Sequence, residues 1–226
     1  MSSERLTDHR ARLVAAAQAL RLDLVDAQIN LLLEYQAQMQ RWNRTYNLTA
    51  LRDPDQMLIQ HLFDSMSVVM PIEREFAAGG ATDLAIMDVG AGAGLPGAVI
   101  AICRPQWSVC CVDAVEKKTA FVTQASGVLK LANLRARHAR VEQMDEAGCD
   151  LVVSRAFASL QDFSRLAGRH VRDGGVLLAM KGREPLDETP PLEQDDQWRI
   201  ASIEPLTVPE LQAQRCLVWM RRKGNP

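Results

Sequence analysis

Apolar residues recur at helical spacing through the first third of the chain. Val25, Ile29, Leu32, Leu33, Met39 and Trp42 form one stripe, and Leu58, Leu62, Met66 and Val69 form a second. Between them Arg41-Trp42-Asn43-Arg44-Thr45-Tyr46-Asn47-Leu48-Thr49 is polar and aromatic and predicts a break, and Gly79-Gly80 predicts a short linker. From residue 84 onward short apolar runs alternate with helical stretches. The runs predict strands at 84–89, 107–112, 134–138, 151–154 and 176–180, with helices at 95–102, 116–131 and 160–171. Such alternation with short connections implies an α/β fold, a parallel sheet covered by helices and wound by right-handed crossovers. Residues 184–196 carry six acids and three prolines and predict an exposed loop, whereas 199–208 and 216–220 predict a closing antiparallel hairpin. The expected organisation is an N-terminal helical region, 1–80, packed on a core domain, 81–226.

Composition narrows the picture in three ways. Of the 226 residues 47% are hydrophobic and 24% charged, which excludes an intrinsically disordered chain. No apolar run approaches 18 residues, so no membrane helix is expected. The five cysteines are odd in number and form no C-x-x-C, which fits neither a disulfide framework nor a zinc ribbon. With a charged start that has no signal-peptide core, this reads as a cytoplasmic protein with reduced thiols and no metal. The net charge of −2 announces no nucleic-acid binder, but local basic patches decide that question.

The chemistry centres on Asp88-Val89-Gly90-Ala91-Gly92-Ala93-Gly94-Leu95-Pro96-Gly97, which follows the first strand and opens a helix. Glycines there allow a tight turn and close approach of a ligand to the backbone. Asp113, at the end of the second strand, can accept both hydroxyl protons of a ribose. Gly92, Gly94 and Gly97 match the dinucleotide pattern, alone a weak signal. The longer string with its acidic start also suits S-adenosylmethionine. Three readings follow: a methyltransferase, a nicotinamide-dependent dehydrogenase, and a non-catalytic RNA-binding module that senses a cofactor.

These residues, with Trp42 to Thr49, His61-Leu62-Phe63-Asp64-Ser65, Ser154-Arg155-Ala156-Phe157-Ala158 and Lys181-Gly182, resemble the bacterial RsmG family, formerly glucose-inhibited division protein B. The likeness spans about residues 40 to 220. It implies a class I S-adenosylmethionine-dependent methyltransferase, Rossmann-like, with a mostly parallel seven-stranded sheet and helices on both faces. It also implies methylation of N7 of guanine 527 in 16S ribosomal RNA, with the RNA or the 30S subunit as partner. Carried over by motif, Gly90 and Leu95 would touch the cofactor in the glycine loop, Val141 and Glu142 its adenine end, and Arg155 the edge of the cofactor and target pocket. Ala93 stands where proline is expected in many relatives.

N7 of guanine has a free lone pair and no proton to lose, so its methylation needs in-line placement rather than a strong base. The segment after the fourth strand has neither the Asp/Asn-Pro-Pro-aromatic motif used for exocyclic amines nor the Pro-Cys pair used for pyrimidine carbon. Arg155 and Lys181, at the ends of the fourth and fifth strands, are expected to reach guanine O6 or phosphate. Phe157 is a candidate stacking ring. His61, Asp64 and Ser65 lie on the polar side of the second stripe and are expected over the cofactor site, joined by Asn47. Arg135, Arg137 and Arg140 form one candidate RNA-binding cluster, and Arg215, Arg221, Arg222 and Lys223 another.

Overall fold

In the computed structural model, the structure describes residues 3–77, 79–80, 82–155, 157, 159–193, 195 and 197–224. The N-terminal region holds α1 (Ser3–Ala19) and α2 (Asp26–Tyr46), then α3 (Pro54–Met57), a π-helical turn (Leu58–Phe63), α4 (Asp64–Met66) and α5 (Val69–Ala77). The second stripe, expected as one helix, is therefore split by the wider turn. Nor does the first stripe end at the polar-aromatic stretch. Arg41, Arg44, Thr45 and Tyr46 are simply the exposed face of the last turns of α2, which stops at Asn47 in the left-handed region (φ 47°, ψ 57°). Buried Asn43 folds the following segment back, donating to Leu51 O (2.8 Å) and accepting from Thr49 N (3.0 Å).

The remaining chain alternates β1 (Ala85–Val89), α6 (Gly97–Cys103), β2 (Ser108–Asp113), α7 (Glu116–Leu129), β3 (Leu134–His138), β4 (Cys149–Ser154), α8 (Leu160–Ala167), β5 (Val171–Lys181), α9 (Thr189–Glu193), β6 (Trp198–Pro205) and β7 (Cys216–Arg222). One seven-stranded sheet results, in the order β3-β2-β1-β4-β5-β7-β6. Strands β1 to β5 pair in parallel; β7 runs antiparallel to both β5 and β6. Every β4 residue is buried, as befits a parallel strand covered on both faces. The chain leaves β1 toward β2 on one side and returns to β4 on the other. The carboxyl ends of β1 and β4 thus form the switch point at which open sheets of this kind bind ligands.

Two local expectations are corrected. Strand β5 starts at Val171, before Gly174-Gly175, because a register shift against β4 lets it run through the glycines. A Cβ on Gly175 would stand 2.7 Å from both Asp150 O and Val171 Cγ1, so glycine is required for that close approach. The acidic segment 184–196 is not simply an exposed loop: it contains α9, and Leu192 is fully buried. Its Gln194 and Asp196 lie outside the described residues. One apolar core joins Leu13, Leu32 and Phe63 of the N-terminal region to Ile100, Phe121 and Trp219 of the sheet region. Among the described residues no helix is long and apolar enough to cross a membrane.

Candidate active site

The glycine loop is fastened from below before any ligand arrives. Gly90 N and Ala91 N both donate to Val112 O (2.9 and 3.2 Å), hooking the loop over the end of β2. Gly97 N donates to Asp88 Oδ2 and Gly92 N to Asp113 Oδ2 (2.7 and 2.8 Å). Asp113 Oδ1 accepts from Val115 N (2.8 Å), and Lys118 Nζ lies 3.8 Å from Oδ2. From the helical region, the buried Tyr35 hydroxyl donates to Ala93 O (2.7 Å). Tyr35 reaches the loop because α2, about 31 Å long at 1.5 Å per residue, is pinned further down by Gln28 to Ile102 O and Cys103 O. Gly94 has φ +73°, and a Cβ there would collide with the Tyr35 hydroxyl and stand 2.9 Å from Val122 Cγ2. This position needs glycine for both conformation and space.

A second cluster faces this loop from the carboxyl ends of β4 and β5. The π turn brings Gln60 and Asp64 onto one face. Arg155 Nη1 donates to Gln60 O (3.0 Å) and to Asp64 Oδ2 (3.1 Å). Arg215 Nε donates to Asp64 Oδ1 (2.9 Å), so one carboxylate, 2% exposed, carries two guanidinium groups. Lys181 Nζ donates to Glu188 Oε1 and Oε2 (2.9 and 2.8 Å). Gln60, Asp64, Arg155, Lys181 and Arg215 line a cavity of about 310 Å³. A larger cavity, about 920 Å³, opens at the opposite end of the strands, around Gly148, Val171 and Trp198.

Two groups in this region are held away from their ordinary ionisation. Burial, with the nearby charge of Arg155, pushes His61 down to about 4, so it is neutral at neutral pH. Its Nδ1 donates to Gln60 O (3.2 Å) and its Nε2 accepts from the Thr49 hydroxyl (2.9 Å), the arrangement of a fixed neutral ring. Burial also pushes Asp88 up to about 7, against the opposing hydrogen bond from Gly97.

The candidate residues thus fall into separate groups. Gly90, Gly92, Gly94, Leu95 and Asp113 come together in and under the loop. Val141 and Glu142 form a short turn after β3; Val141 is buried with its carbonyl accepting from His170 Nε2 (2.9 Å), and Glu142 is exposed. Arg155, Lys181 and Arg215 meet around the cavity, and His61 lies behind it, sharing Gln60 O with Arg155. Asn47 does not join them: it is the exposed cap of α2, accepting from Arg52 (2.8 Å), and Thr49 holds His61 instead. Arg135 and Arg137 are exposed on β3, an edge strand, with exposed Arg140 just beyond it. Because β7 is extended, Arg215 and the pair Arg221–Arg222 lie at opposite ends of a strand roughly 20 Å long. They therefore form no single patch. Phe157 is half-buried against Phe163, ring centres 5.0 Å apart; Ala156 and Ala158 lie outside the described residues. The sequence reading missed Tyr35 and Glu188, and it gave Asp64 no partner. The only signal for Asp64 was its place on the polar face, four residues after Gln60.

The loop fits S-adenosylmethionine. Asp88 Oδ1 is fully buried and makes no hydrogen bond among the described residues, leaving an acceptor beneath the loop. A Cβ on Gly92 would meet nothing within 4 Å, so the space above that residue is open. Asp113 stays 7% exposed at the strand end, where its carboxylate has lone pairs beyond the two it commits to the backbone.

Comparison with known proteins agrees. The family model GidB, rRNA small subunit methyltransferase G, matches residues 28–218. Ribosomal RNA small subunit methyltransferase G of Bordetella pertussis is 62% identical over 216 residues, 95% of this chain and 94% of the relative. Its counterpart in Methylibium petroleiphilum is 49% identical over 208 residues, 92% of each chain. Among solved structures, a ribosomal protein L11 methylase from Lactobacillus delbrueckii has a TM-score of 0.54 at 17% identity, covering 71% of this chain and 78% of its own. A SAM-dependent methyltransferase from Aquifex aeolicus has a TM-score of 0.52 at 16% identity, covering 77% and 96%. These two show the class I methyltransferase fold, and the dinucleotide reading of the glycine loop gives way. The chain belongs to the rRNA small subunit methyltransferase G family and is an S-adenosylmethionine-dependent methyltransferase.

Proposed function

We propose that this enzyme methylates N7 of guanine 527 in 16S ribosomal RNA, acting on the RNA or on the 30S subunit. The observation that carries the reading is the convergence of Arg155, Lys181 and Arg215 on one cavity beside the glycine loop, at the carboxyl ends of the strands. Three cations against the two carboxylates Asp64 and Glu188 leave an anion-accepting surface, as an RNA strand requires. When bound, the cofactor supplies an electrophilic methyl group on a sulfonium.

In the transfer the N7–carbon bond forms as the sulfur–carbon bond breaks, and no proton leaves the ring. The protein's task is alignment. Asp88, Asp113 and the loop glycines hold and orient the cofactor, while Arg155 and Lys181 hold the target nucleotide. His61, neutral and fixed by Thr49, shapes the wall between them without having to move a proton. Glu188 occupies Lys181 and also accepts from Leu160 N (2.7 Å), so Lys181 exchanges a carboxylate for RNA when the strand docks.

The test uses 16S RNA from a strain lacking the gene. N7-methylguanine makes the backbone cleavable by reduction and aniline. Cleavage at guanine 527 should be present in the parent, absent in the deletion strain and restored by the purified protein. Cleavage that persists in the deletion strain refutes the target.

A further inference from the structure

We infer that Asp64 is a positioning residue, which holds Arg155 and Arg215 side by side as a paired donor for one phosphodiester of the substrate RNA. This rests on the proposed RNA substrate and deepens it. The two arginines come from distant parts of the chain, 91 and 151 residues from Asp64 in sequence. Left alone, two guanidinium groups on one wall repel each other. Here both oxygens of one buried carboxylate are spent on them, one oxygen per arginine.

Each arginine commits only part of its donor set. Arg155 uses Nη1, and Arg215 uses Nε together with Nη1, which donates to Gln214 O (2.9 Å). Nη2 of each makes no hydrogen bond among the described residues. The two side chains remain 26% and 22% exposed at the cavity, whereas Asp64, at its floor, is 2% exposed. A phosphodiester presents two non-bridging oxygens, which suit two guanidinium edges fixed in advance. A core that needed only stability would be served as well by apolar residues at these places, because burying an ionised carboxylate carries a large desolvation cost. Fixing the arginines before the strand arrives removes an ordering cost from binding.

The experiment measures binding of unmethylated 16S transcript at several salt concentrations for wild type, Asp64→Asn, Arg215→Gln and the double variant. Cofactor affinity and KM against kcat are measured alongside. Arg215→Gln should weaken RNA binding about tenfold and lower the slope of log affinity against log salt by about 0.7–0.9, one phosphate contact. Asp64→Asn should match that loss, raising KM for RNA more than it lowers kcat and leaving cofactor affinity within about twofold. The double variant should lose less than the two singles combined.

Unchanged salt slopes in the folded variants overturn the inference. So does a loss confined to cofactor affinity, which would assign the arginines to the cofactor's carboxylate. If Asp64→Asn does not fold, Arg215→Gln decides by its slope alone. Binding is read independently of the methylated position, so a methyl group found on another nucleotide refutes the target without touching this result.

Discussion

Alanine at Gly94 tests whether the N-terminal helical region supports the cofactor loop. Glycine sits there at φ +73°, and an L side chain in that conformation costs about 1–2 kcal/mol. The new Cβ would run into the Tyr35 hydroxyl and stand 2.9 Å from Val122 Cγ2, an overpacking worth about 1–3 kcal/mol. Gly94→Ala should therefore cost roughly 2–5 kcal/mol. Tyr35→Phe should cost about 1–3 kcal/mol, because the buried Ala93 carbonyl loses its 2.7 Å donor. The informative species is the double variant. With the hydroxyl gone, part of the collision goes too, and the combined loss should fall short of the sum by about 1 kcal/mol or more. Urea unfolding measures all three, and thermal midpoints should move about 2–4 °C per kcal/mol. Affinity for S-adenosylhomocysteine should fall in the same order, since the loop that shifts is the loop proposed to hold the cofactor. Losses additive within about 0.5 kcal/mol would mean that the hydroxyl and the Cβ do not meet, and would refute the claim that α2 braces the loop.

Asp113→Asn keeps one acceptor but turns an amide toward the second backbone N–H. Cofactor affinity by calorimetry should fall about 10–100-fold, from one charge-assisted hydrogen bond lost and one donor left unpaired; a change under threefold contradicts this. Glu188→Gln weakens the hold on Lys181 and should tighten 16S RNA binding about two- to tenfold at low salt, by roughly 0.4–1.4 kcal/mol; weaker binding would instead make Glu188 part of the RNA surface.

Stability against pH should separate two buried groups. His61 contributes stability fully present above its ordinary 6.5 and lost as pH falls toward about 4, whereas the contribution of Asp88 is present below its ordinary 3.8 and lost as pH rises through about 7. The two offset each other in wild type. Asp88→Asn should leave stability rising from pH 4 to 6.5, and His61→Gln should leave it falling, each by up to about 1.4 kcal/mol per pH unit in urea titrations. Identical pH profiles for the two variants would contradict both assignments.

The parts legible in the sequence were those written locally. The apolar run 84–89, the glycines behind it and Asp113 at the next strand end are close in the chain and close in space, and β3 fell on its expected residues. What escaped depends on long-range placement. Arg215, Arg221 and Arg222 are close in sequence, but the extended β7 separates them, and its antiparallel pairing brings Arg215 alone to the carboxyl end of β5. The role of Asp64 needs the strand ends and the π turn assembled, and nothing in Leu58 to Val69 announces the wider turn. Arg41 to Tyr46 looked like a break because polar residues on an exposed helix face give the same signal as a loop. The sequence places the start of β5 after Gly174-Gly175, because the pair reads as punctuation where the structure uses it for close approach to β4.

The strand order also divides the site along the chain. Among the described residues, the hydrogen bonds that fasten the glycine loop come from residues up to Ser154, whose hydroxyl donates to Val89 O (2.8 Å). The arginine cluster is completed later in the chain: Arg215 stands just before β7, which lies between β5 and β6 in the sheet. In chain order, the residues that fasten the loop therefore all precede the last arginine of the proposed RNA wall, so the two halves of the site are written in separate parts of the sequence.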